Sequence, residues 1–570
     1  MPELSLTTLN ILAVSKIILF AYLGITIFLI WKNNKPYWHL ITITLAMAAF
    51  YFVLAIKLQK MFWGDNGDEV FIFAFLTKVL HGQYFSDFYY SWLPPFYPPL
   101  YFWLTGTIAR LFTQNGIQAA KVGVLGALIT WFIGTYFWQK LYWQKVAKKE
   151  ENKEIHKSPW FWLLLPMIFL ITLDFDTIIL KPYETLSALG SIILIGLIAE
   201  SLEWDKWRWP NYLFLGLSSG LLFLTYYFWW FILIPAFIVL ALLTKQKRKN
   251  ISRLIILGLI IFAVAAIYLA PLILSYCKYG LQNWQAAFFV PQDLTTFTPW
   301  LNLSLKTIIF VLGLTGLIFF TKQKFIKASL ITFIFCYVYQ LANIIVFVFG
   351  HKPAQASKPF LFLGTACLAV GATYLLIHAY QKYISHLKIE SQKLTVIAAV
   401  IIFLPLLPMI KFIDDPVILK QVETDFKAPA TKYLSTKIAN EIPDYQTRTW
   451  LSSGAPELNA YLPLSYYIAH NPHFSHQAVI YSQRLGLVAK LTETSKPEDF
   501  MTLINKTEPQ VSGLILYNDN ESKNYPLFFW QDNYPNGGKE LRLDLNKNLI
   551  SEKYWVKKFQ DKDWTIFIRK

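Results

Sequence analysis

Charged residues and cysteines are both scarce in this chain of 570 residues. Asp, Glu, Lys and Arg together make up 15% of it, whereas about 25% is usual for a soluble domain. The three cysteines, Cys277, Cys336 and Cys367, offer neither a disulfide framework nor the spacing of a metal site. The sequence also lacks a P-loop, a dinucleotide-binding fingerprint, an HExxH motif and a nucleophile elbow. It therefore gives no support to an ATP-driven pump or a hydrolase.

Apolar residues are abundant instead, with 55% hydrophobic and 17% aromatic. About twelve apolar segments have roughly the 16–24 residues that a membrane-spanning helix needs. They lie near residues 8–31, 37–58, 118–141, 158–174, 184–202, 210–226, 228–244, 251–275, 303–320, 329–349, 359–380 and 394–412. The pattern predicts a polytopic α-helical membrane protein in contact with the bilayer. The net charge of +17 is explained by basic cytoplasmic loops, so we predict no nucleic-acid partner.

Basic loops fall on one side of these predicted spans, and the positive-inside rule identifies that side as cytoplasmic. These loops are residues 32–35, 140–157, 206–208, 245–253, 322–327 and 382–393. The acid-rich segment 59–117 and the end of the chain then face outward, with the protein in the plasma membrane. Residues 98–112 are apolar, but the segment is short, begins with proline and contains Arg110. It predicts a helix in the outer interface rather than a span.

The composition changes after residue 412. Residues 413–570 are polar and contain no apolar run of span length. Alternating segments at 478–481, 513–517 and 564–568 predict strands, and Pro497 predicts the start of a helix. The predicted fold is therefore an all-α polytopic membrane domain, residues 1–412 with a catalytic outer loop at 59–117. A small extracytoplasmic α/β domain, residues 413–570, follows it.

Three acids, Asp65, Asp68 and Glu69, lie between the second predicted span and an apolar helix at 70–80. Helix capping is one interpretation, because acids favour the first turn of a helix. Carboxylates beside a bilayer are costly and often mark a functional site. The second interpretation is a general base that takes the proton of an acceptor hydroxyl as it attacks a sugar carbon.

A second acidic pair, Asp174 and Asp176, lies at the outward end of the fourth predicted span. Both are solvated interfacial acids in the simpler interpretation. Alternatively, they converge with the first acidic cluster to hold a divalent cation or to tune the base. Oxygen ligands of this kind would suit Mg, Mn or Ca.

Basic residues on the outer side run against the charge rule and need a reason. Any single one could extend to lipid headgroup phosphates. Grouped around one cavity, they predict a site for a phosphate leaving group. The candidates are Lys121, Lys181, His351, Lys352 and Lys358.

Residues 64–104 resemble the GT-C superfamily of glycosyltransferases that use polyprenyl-phosphate sugars. The similarity is greatest to the actinobacterial galactan arabinofuranosyltransferase family, which primes arabinan on cell-wall galactan. It rests on Asp68-Glu69-Val70-Phe71, on Phe75-Leu76-Thr77-Lys78, and on the segment 94–103 with its Tyr97-Pro98-Pro99. Glu69 replaces a more usual amide, and Ile72 stands where a basic residue is usual, so the sugar stays open.

The resemblance implies a polyprenyl-phosphate pentose donor, a cell-envelope glycan acceptor and one inverting displacement with Asp68 as the base. A transferase of the same superfamily acting on lipid A or on protein hydroxyls is the nearest alternative. A polysaccharide polymerase or ligase would use a pair of outer-loop arginines, which are nearly absent here. A transporter belongs to a different class, for which inverted repeats and midplane charges are typical.

Overall fold

The computed structural model describes residues 4–32, 35–59, 68–137, 159–204, 206–282, 303–351, 354–384, 406–424, 430–519, 522–532 and 538–570. Its first part is helical. In chain order, helices α1 to α14 are Leu6–Trp31, Pro36–Ala55, Asp68–Leu80, Leu100–Ala109, Gly116–Ile129, Pro159–Leu173, Phe175–Leu180, Pro182–Ser201, Trp209–Thr225, Trp230–Leu242, Lys247–Tyr279, Leu305–Phe319, Lys324–Val348 and Thr365–Ala379. Short π-helical turns at Thr130–Gly134 and Phe360–Gly364 extend α5 and lead into α14.

Seven helices in the described residues are long and apolar enough to cross a membrane, or eight if one bent pair counts as a single span. The bent pair is α9 with the segment Tyr227–Leu242, which meet at 117°. The predicted segments 158–174 and 303–320 form shorter apolar helices, and 394–412 lies mostly outside the described residues. The polytopic helical fold is thus confirmed, whereas the count of twelve spans stays a prediction.

Long helices carry apolar side chains on their outer surface. On α11, Leu259 and Leu274 are 65% and 67% exposed. Exposed apolar patches of this extent are costly in water and normal against lipid. Lys16, which lies within α1, forms an exposed ion pair with Asp414 at 3.7 Å. The chain is therefore a multi-pass membrane protein.

Helix α3 is short and almost entirely buried, with only Asp68 partly exposed at its first position. It packs against α4, α5 and the 3-10 helix Pro456–Ala460. Helix α5 begins so close that a Cβ at Gly116 would lie 2.3 Å from the Phe73 carbonyl oxygen. Helix α4 has ten residues and measures about 15 Å, half the thickness of a bilayer core. The interfacial position predicted for it stays a prediction.

The last part of the chain combines helices and strands. Helices α15 to α19 are Leu406–Asp414, Pro416–Thr424, Ala430–Glu441, Tyr481–Glu493 and Pro497–Ile504. Strands β1 to β7 are Thr449–Ser452, Ser465–Tyr466, Gly513–Tyr517, Asn524–Asp532, Gly538–Asn546, Trp555–Gln560 and Trp564–Arg569. Five of them form a mixed sheet in the order β2-β1-β3-β7-β6, and β4 and β5 form a separate hairpin.

This mixed α/β region confirms the predicted fold class. The strands predicted at 513–517 and 564–568 and the helix beginning at Pro497 are also present. The strand predicted at 478–481 is wrong, because Gln477–Val479 is a 3-10 helix and Ile480 has a φ of 50°. A short apolar run cannot be assigned by periodicity alone. The predicted boundary between residues 412 and 413 stays a prediction.

The α/β region is bonded to α3 and to the loop that follows it. Lys78 donates to the Pro463 carbonyl at 3.0 Å, and Thr77 donates to the Ala460 carbonyl at 3.0 Å. The Tyr466 amide donates to the Tyr89 carbonyl at 2.8 Å. Because Lys78 is fully buried, these bonds are sheltered from water and fix the position of α3 against the sheet.

Candidate active site

Two lysine–carboxylate pairs meet near the first turn of α3. The Lys181 ammonium lies 2.8 Å from Asp68 Oδ2. The Lys358 ammonium lies 2.8 Å from Glu184 Oε1, whose side chain is completely buried. Opposite charges brought together away from water interact more strongly than they do on a surface. We call Asp68, Lys181, Glu184 and Lys358 the charge cluster.

Three separate elements position these four side chains. Asp68 opens α3, where the helix dipole favours an acid. Lys181 separates α7 from α8, and Pro182 begins α8 at a position where proline is well accommodated, with Glu184 in the first turn. Lys358 comes from the segment before the π-helix Phe360–Gly364.

Electrostatics keep Asp68 ionised. Burial opposes the charged form, but Lys181 outweighs it, and His473 and Lys358 add to this effect, so the pKa of Asp68 falls to about 2. Burial also disfavours the Lys181 ammonium, yet Asp68 raises the pKa of Lys181 above its ordinary value. Burial lowers the pKa of Lys358, and the neighbouring Glu184 counteracts it. Asp68 therefore enters any reaction as a carboxylate.

Tyrosine rings line the charge cluster. The ring of Tyr183 lies 5.9 Å from the rings of both Tyr97 and Tyr226. The Lys358 ammonium lies 5.1 Å from the centroid of the Tyr226 ring, a cation–π contact. Tyr226 sits at the bend between α9 and the Tyr227–Trp229 turn. The bent helix pair thus brings an aromatic wall to the cluster.

The α/β region contributes a histidine to the same place. His473 lies in the 3-10 turn Pro472–Phe474 and interacts electrostatically with Asp68, Lys181 and Lys358. Burial is the main reason that the pKa of His473 is lowered to about 4, so the imidazole is neutral at neutral pH.

An apolar groove of about 630 Å³ runs between α4, α5, α8 and α9. On α8 it is lined by residues two to nine positions beyond Glu184, including Leu186, Gly190 and Ile193. Tyr101 lines it as well, and the Tyr101 ring lies 5.8 Å from that of Tyr183, which lines the charge cluster. The groove therefore adjoins the charge cluster through this pair of rings and extends from there along the apolar helices.

The basic residues predicted from sequence are only partly brought together. Lys181 and Lys358 belong to the charge cluster. Lys121 is buried on α5 and donates to the Leu58 carbonyl, which ties α5 to the end of α2. His351 lies exposed just beyond α13. Lys352 lies outside the described residues, so the phosphate-binding roles of Lys121, His351 and Lys352 stay predictions.

Of the acids predicted from sequence, only Asp68 belongs to the charge cluster. Glu69 follows Asp68 on α3 and is buried, and Asp65 lies outside the described residues. Asp174 has a φ of 71° and pairs with Lys306 and Lys411, whereas Asp176 caps the Thr177 amide at 2.8 Å. Within the described ranges, no group of three or more His, Cys, Asp or Glu side chains could hold a metal ion. The divalent cation stays a prediction.

Sequence reasoning missed Glu184 and His473. Glu184 could have been found, because it follows Lys181-Pro182 where a helix begins. His473 carries no comparable signal, since it lies 405 positions after Asp68 in an irregular segment.

Comparisons with known proteins place these observations in context. No curated protein matches the chain. Among solved structures, it is similar to ArnT from Cupriavidus metallidurans bound to undecaprenyl phosphate, with 12% identity, a TM-score of 0.46, and coverage of 92% of this chain and 97% of that one. It is also similar to the apo oligosaccharyltransferase of Archaeoglobus fulgidus, with 11% identity, a TM-score of 0.47, and coverage of 85% and 70%.

The family described as "Arabinofuranosyltransferase N terminal" matches residues 3–151 and 171–352, more than half of the chain. This match includes Asp68, Lys181 and Glu184. It confirms the resemblance seen in residues 64–104. The chain therefore belongs to the arabinofuranosyltransferase N-terminal family of membrane glycosyltransferases.

Proposed function

We propose that the protein transfers a pentofuranose, such as arabinofuranose, from a polyprenyl-phosphate donor to a cell-envelope glycan on the extracytoplasmic face of the plasma membrane. One observation carries the proposal. The charge cluster, with its carboxylate base and two ammonium groups, adjoins an apolar groove through the contact between the Tyr183 and Tyr101 rings. A lipid-phosphate sugar needs this combination, because its tail must stay in an apolar environment while its phosphate needs cations.

The reaction is a single inverting displacement. Asp68 accepts the proton of the acceptor hydroxyl as that oxygen bonds to the anomeric carbon. The bond between that carbon and the phosphate oxygen breaks on the opposite side, and the electron pair leaves with the polyprenyl phosphate. Lys181 and Lys358 stabilise the negative charge that grows on the phosphate.

Donor binding and base strength are linked through Lys181. In the free protein Lys181 is paired with Asp68 at 2.8 Å and lowers the pKa of its carboxyl group. A donor phosphate competes for the same ammonium. As Lys181 turns toward the phosphate, the pKa of Asp68 rises, and the carboxylate becomes a stronger base.

The decisive assay offers the purified protein in liposomes either a polyprenyl-phosphoryl arabinofuranose or a nucleotide sugar, with a galactofuranose oligosaccharide as the acceptor. We expect transfer from the lipid-linked sugar only. Turnover with the nucleotide sugar alone would overturn the proposal. Transfer to lipid A or to a peptide hydroxyl, but not to the oligosaccharide, would select the alternative acceptors within the same superfamily. Movement of the lipid-linked sugar across the bilayer without transfer would indicate a transporter.

The groove can be tested with a matched pair of glycines. A Cβ at Gly126, which lines the groove, would meet nothing within 4 Å, and the same holds for Gly258 on the outer surface of α11. Gly126→Leu should therefore fold normally while filling the groove, and we expect a higher KM for the donor. Gly258→Leu should leave the donor KM unchanged. Equal donor KM values in both variants would place the polyprenyl chain elsewhere.

A further inference from the structure

Asp68 lies between two parts of the molecule, the apolar membrane helices on one side and the polar α/β region on the other. Lys181, just before α8, and Glu184, in its first turn, come from the membrane helices, and the apolar groove continues along α8. His473 arrives from the α/β region, whose strands and polar composition belong in water. Within the proposed function, the lipid part of the donor must stay among the apolar helices, and the glycan acceptor must remain in water. The side of His473 is therefore the acceptor side.

Several contacts fix the position of the turn that carries His473 relative to α3. The Asn471 side chain accepts a hydrogen bond from the His473 backbone amide at 2.9 Å, which stabilises the turn. The ring of Phe474 lies 5.5 Å from that of Phe71, one turn of α3 beyond Asp68. Ser475 and the Tyr90 hydroxyl lie 2.9 Å apart in a buried contact. A side chain supported in this way keeps its position relative to the catalytic carboxylate.

The chemistry of an imidazole suits a hydroxyl at this position. Two ammonium groups already surround Asp68, and a third cation would lower the pKa of its carboxyl group further and weaken it as a base. Burial lowers the pKa of His473 to about 4, which keeps the ring uncharged. An uncharged imidazole has one nitrogen that donates and one that accepts, so it can bond to a sugar hydroxyl without adding charge.

We propose that His473 binds the acceptor glycan and holds its nucleophilic hydroxyl beside Asp68. This inference rests on the proposed function and assigns the acceptor side of the site to the α/β region. The ligand class is a sugar alcohol group of an oligosaccharide. The α/β region thereby completes the site that the membrane helices begin.

The test compares His473→Ala, His473→Gln and the control His470→Ala. His470 is also half-buried in the same region, where its ring bonds to the Phe528 carbonyl at 2.7 Å. Two quantities are measured for each protein: the acceptor KM in the liposome assay, and the affinity for a galactofuranose oligosaccharide by calorimetric titration with polyprenyl phosphate present. The second quantity needs no turnover, so it remains informative if the donor sugar is wrong.

We expect His473→Ala to raise the acceptor KM and the dissociation constant about 5–10-fold, the effect of one lost hydrogen bond. The donor KM should not change, and His473→Gln should recover most of the loss because its amide can bond to the same hydroxyl. An unchanged acceptor affinity in His473→Ala would overturn the inference, as would an equal loss in His470→Ala or a change confined to the donor KM. Failure of the wild-type protein to bind the oligosaccharide would overturn it as well. Normal binding without transfer would contradict the proposed reaction and leave this assignment standing.

Discussion

The contact that keeps Asp68 ionised also makes it a weak base. With a pKa of about 2, the carboxylate holds a proton poorly. In the proposed reaction this weakness lasts only until a donor phosphate draws Lys181 away. Replacing single residues of the charge cluster should separate these effects.

Asp68→Asn should lower kcat by about 10²–10⁴-fold, the usual contribution of a positioned general base. Asparagine has nearly the same shape and is still tolerated in the first turn of α3. The measurement is the initial rate of sugar transfer at saturating donor and acceptor, with Asp414→Asn as an exposed control. A wild-type rate in Asp68→Asn would remove the assignment, and Glu69 or Asp65 would then be the next candidates for the base.

Lys358→Met should lower both stability and transfer. It leaves the Glu184 carboxylate buried without its cation, which costs about 3–5 kcal/mol of unfolding free energy. Adding Glu184→Gln removes the buried charge and should recover most of the stability, measured by denaturant titration in detergent. Transfer should stay low in the double variant, because the phosphate still lacks its ligand. Recovery of both properties together would mean that Lys358 serves only to neutralise Glu184.

The opposite end of α8 offers a matched control. Lys324 lies 3.8 Å from Glu200, which is about 24 Å along the helix from Glu184. Lys324→Met breaks a contact of the same kind on the same helix and should leave the donor KM and the rate of transfer unchanged. A loss of transfer equal to that of Lys358→Met would attribute the effect to α8 as a whole.

Some members of this site could be predicted from the sequence, and others could not. Asp68, Lys181 and Lys358 stood out because acids and lysines on the outer side of a membrane protein break simple rules of composition. Glu184 has only a weak local signal, as an acid in the first turn of a helix that begins at Pro182, and His473 has none. Their importance comes from tertiary contacts alone.

At the scale of elements, α3 is packed tightly against α5 and the α/β region. A Cβ at Gly116 would lie 2.4 Å from Thr77 Oγ1 and 3.1 Å from the Ala460 carbonyl oxygen, so α5 and the α/β region both press on α3 there. Gly116→Ala should wedge these elements apart, at a cost of about 1–3 kcal/mol. It should also lower kcat, because Asp68 moves with α3.

The control for this wedge is Gly258→Ala. Nothing lies within 4 Å of a Cβ at that position, and alanine favours a helix more than glycine does. Stability and the rate of transfer should be equal to or above those of the wild-type protein. Unchanged stability and rate in Gly116→Ala would show that α3 tolerates displacement, which would contradict the tight packing seen around it.

The long helices were predictable because their apolar runs have the length of a bilayer core. The bend of 117° after α9 was not, since residues 210–226 and 228–244 each have the length of a span. The strand predicted at residues 478–481 is wrong for a related reason. Its apolar side chains are buried in a turn against other elements, where burial does not require a strand.

At the scale of the whole molecule, the predicted orientation can be tested with two cysteines. Lys562 is 84% exposed in the α/β region, and Lys149 lies in the basic loop 140–157, outside the described residues. In a Cys277→Ser background, Lys562→Cys should react with an impermeant maleimide added to intact cells. Lys149→Cys should react only after the membrane is opened. The reverse pattern would contradict the extracytoplasmic site.

The orientation of the α/β region also determines that of α3. The Ala460 and Pro463 carbonyls accept hydrogen bonds from α3, and the Tyr466 amide donates to the loop after it. Helix α3, this loop and the α/β region must therefore lie on the same side of the membrane. The family match ends at residue 352, well before this region begins. Part of the surface that holds α3 therefore lies outside the region that identifies the family, whereas α4 and α5 lie within it.

These contacts join positions about 385 residues apart, which has a consequence for synthesis. Helix α3 leaves the ribosome early, but its partners Ala460 and Pro463 follow only when most of the 570 residues have been made. Until then Lys78 and Thr77 lack the carbonyl groups that fix them. A chain released before this point would insert into the membrane without a properly placed carboxylate, so premature termination should yield inert protein rather than an enzyme that consumes donor without control.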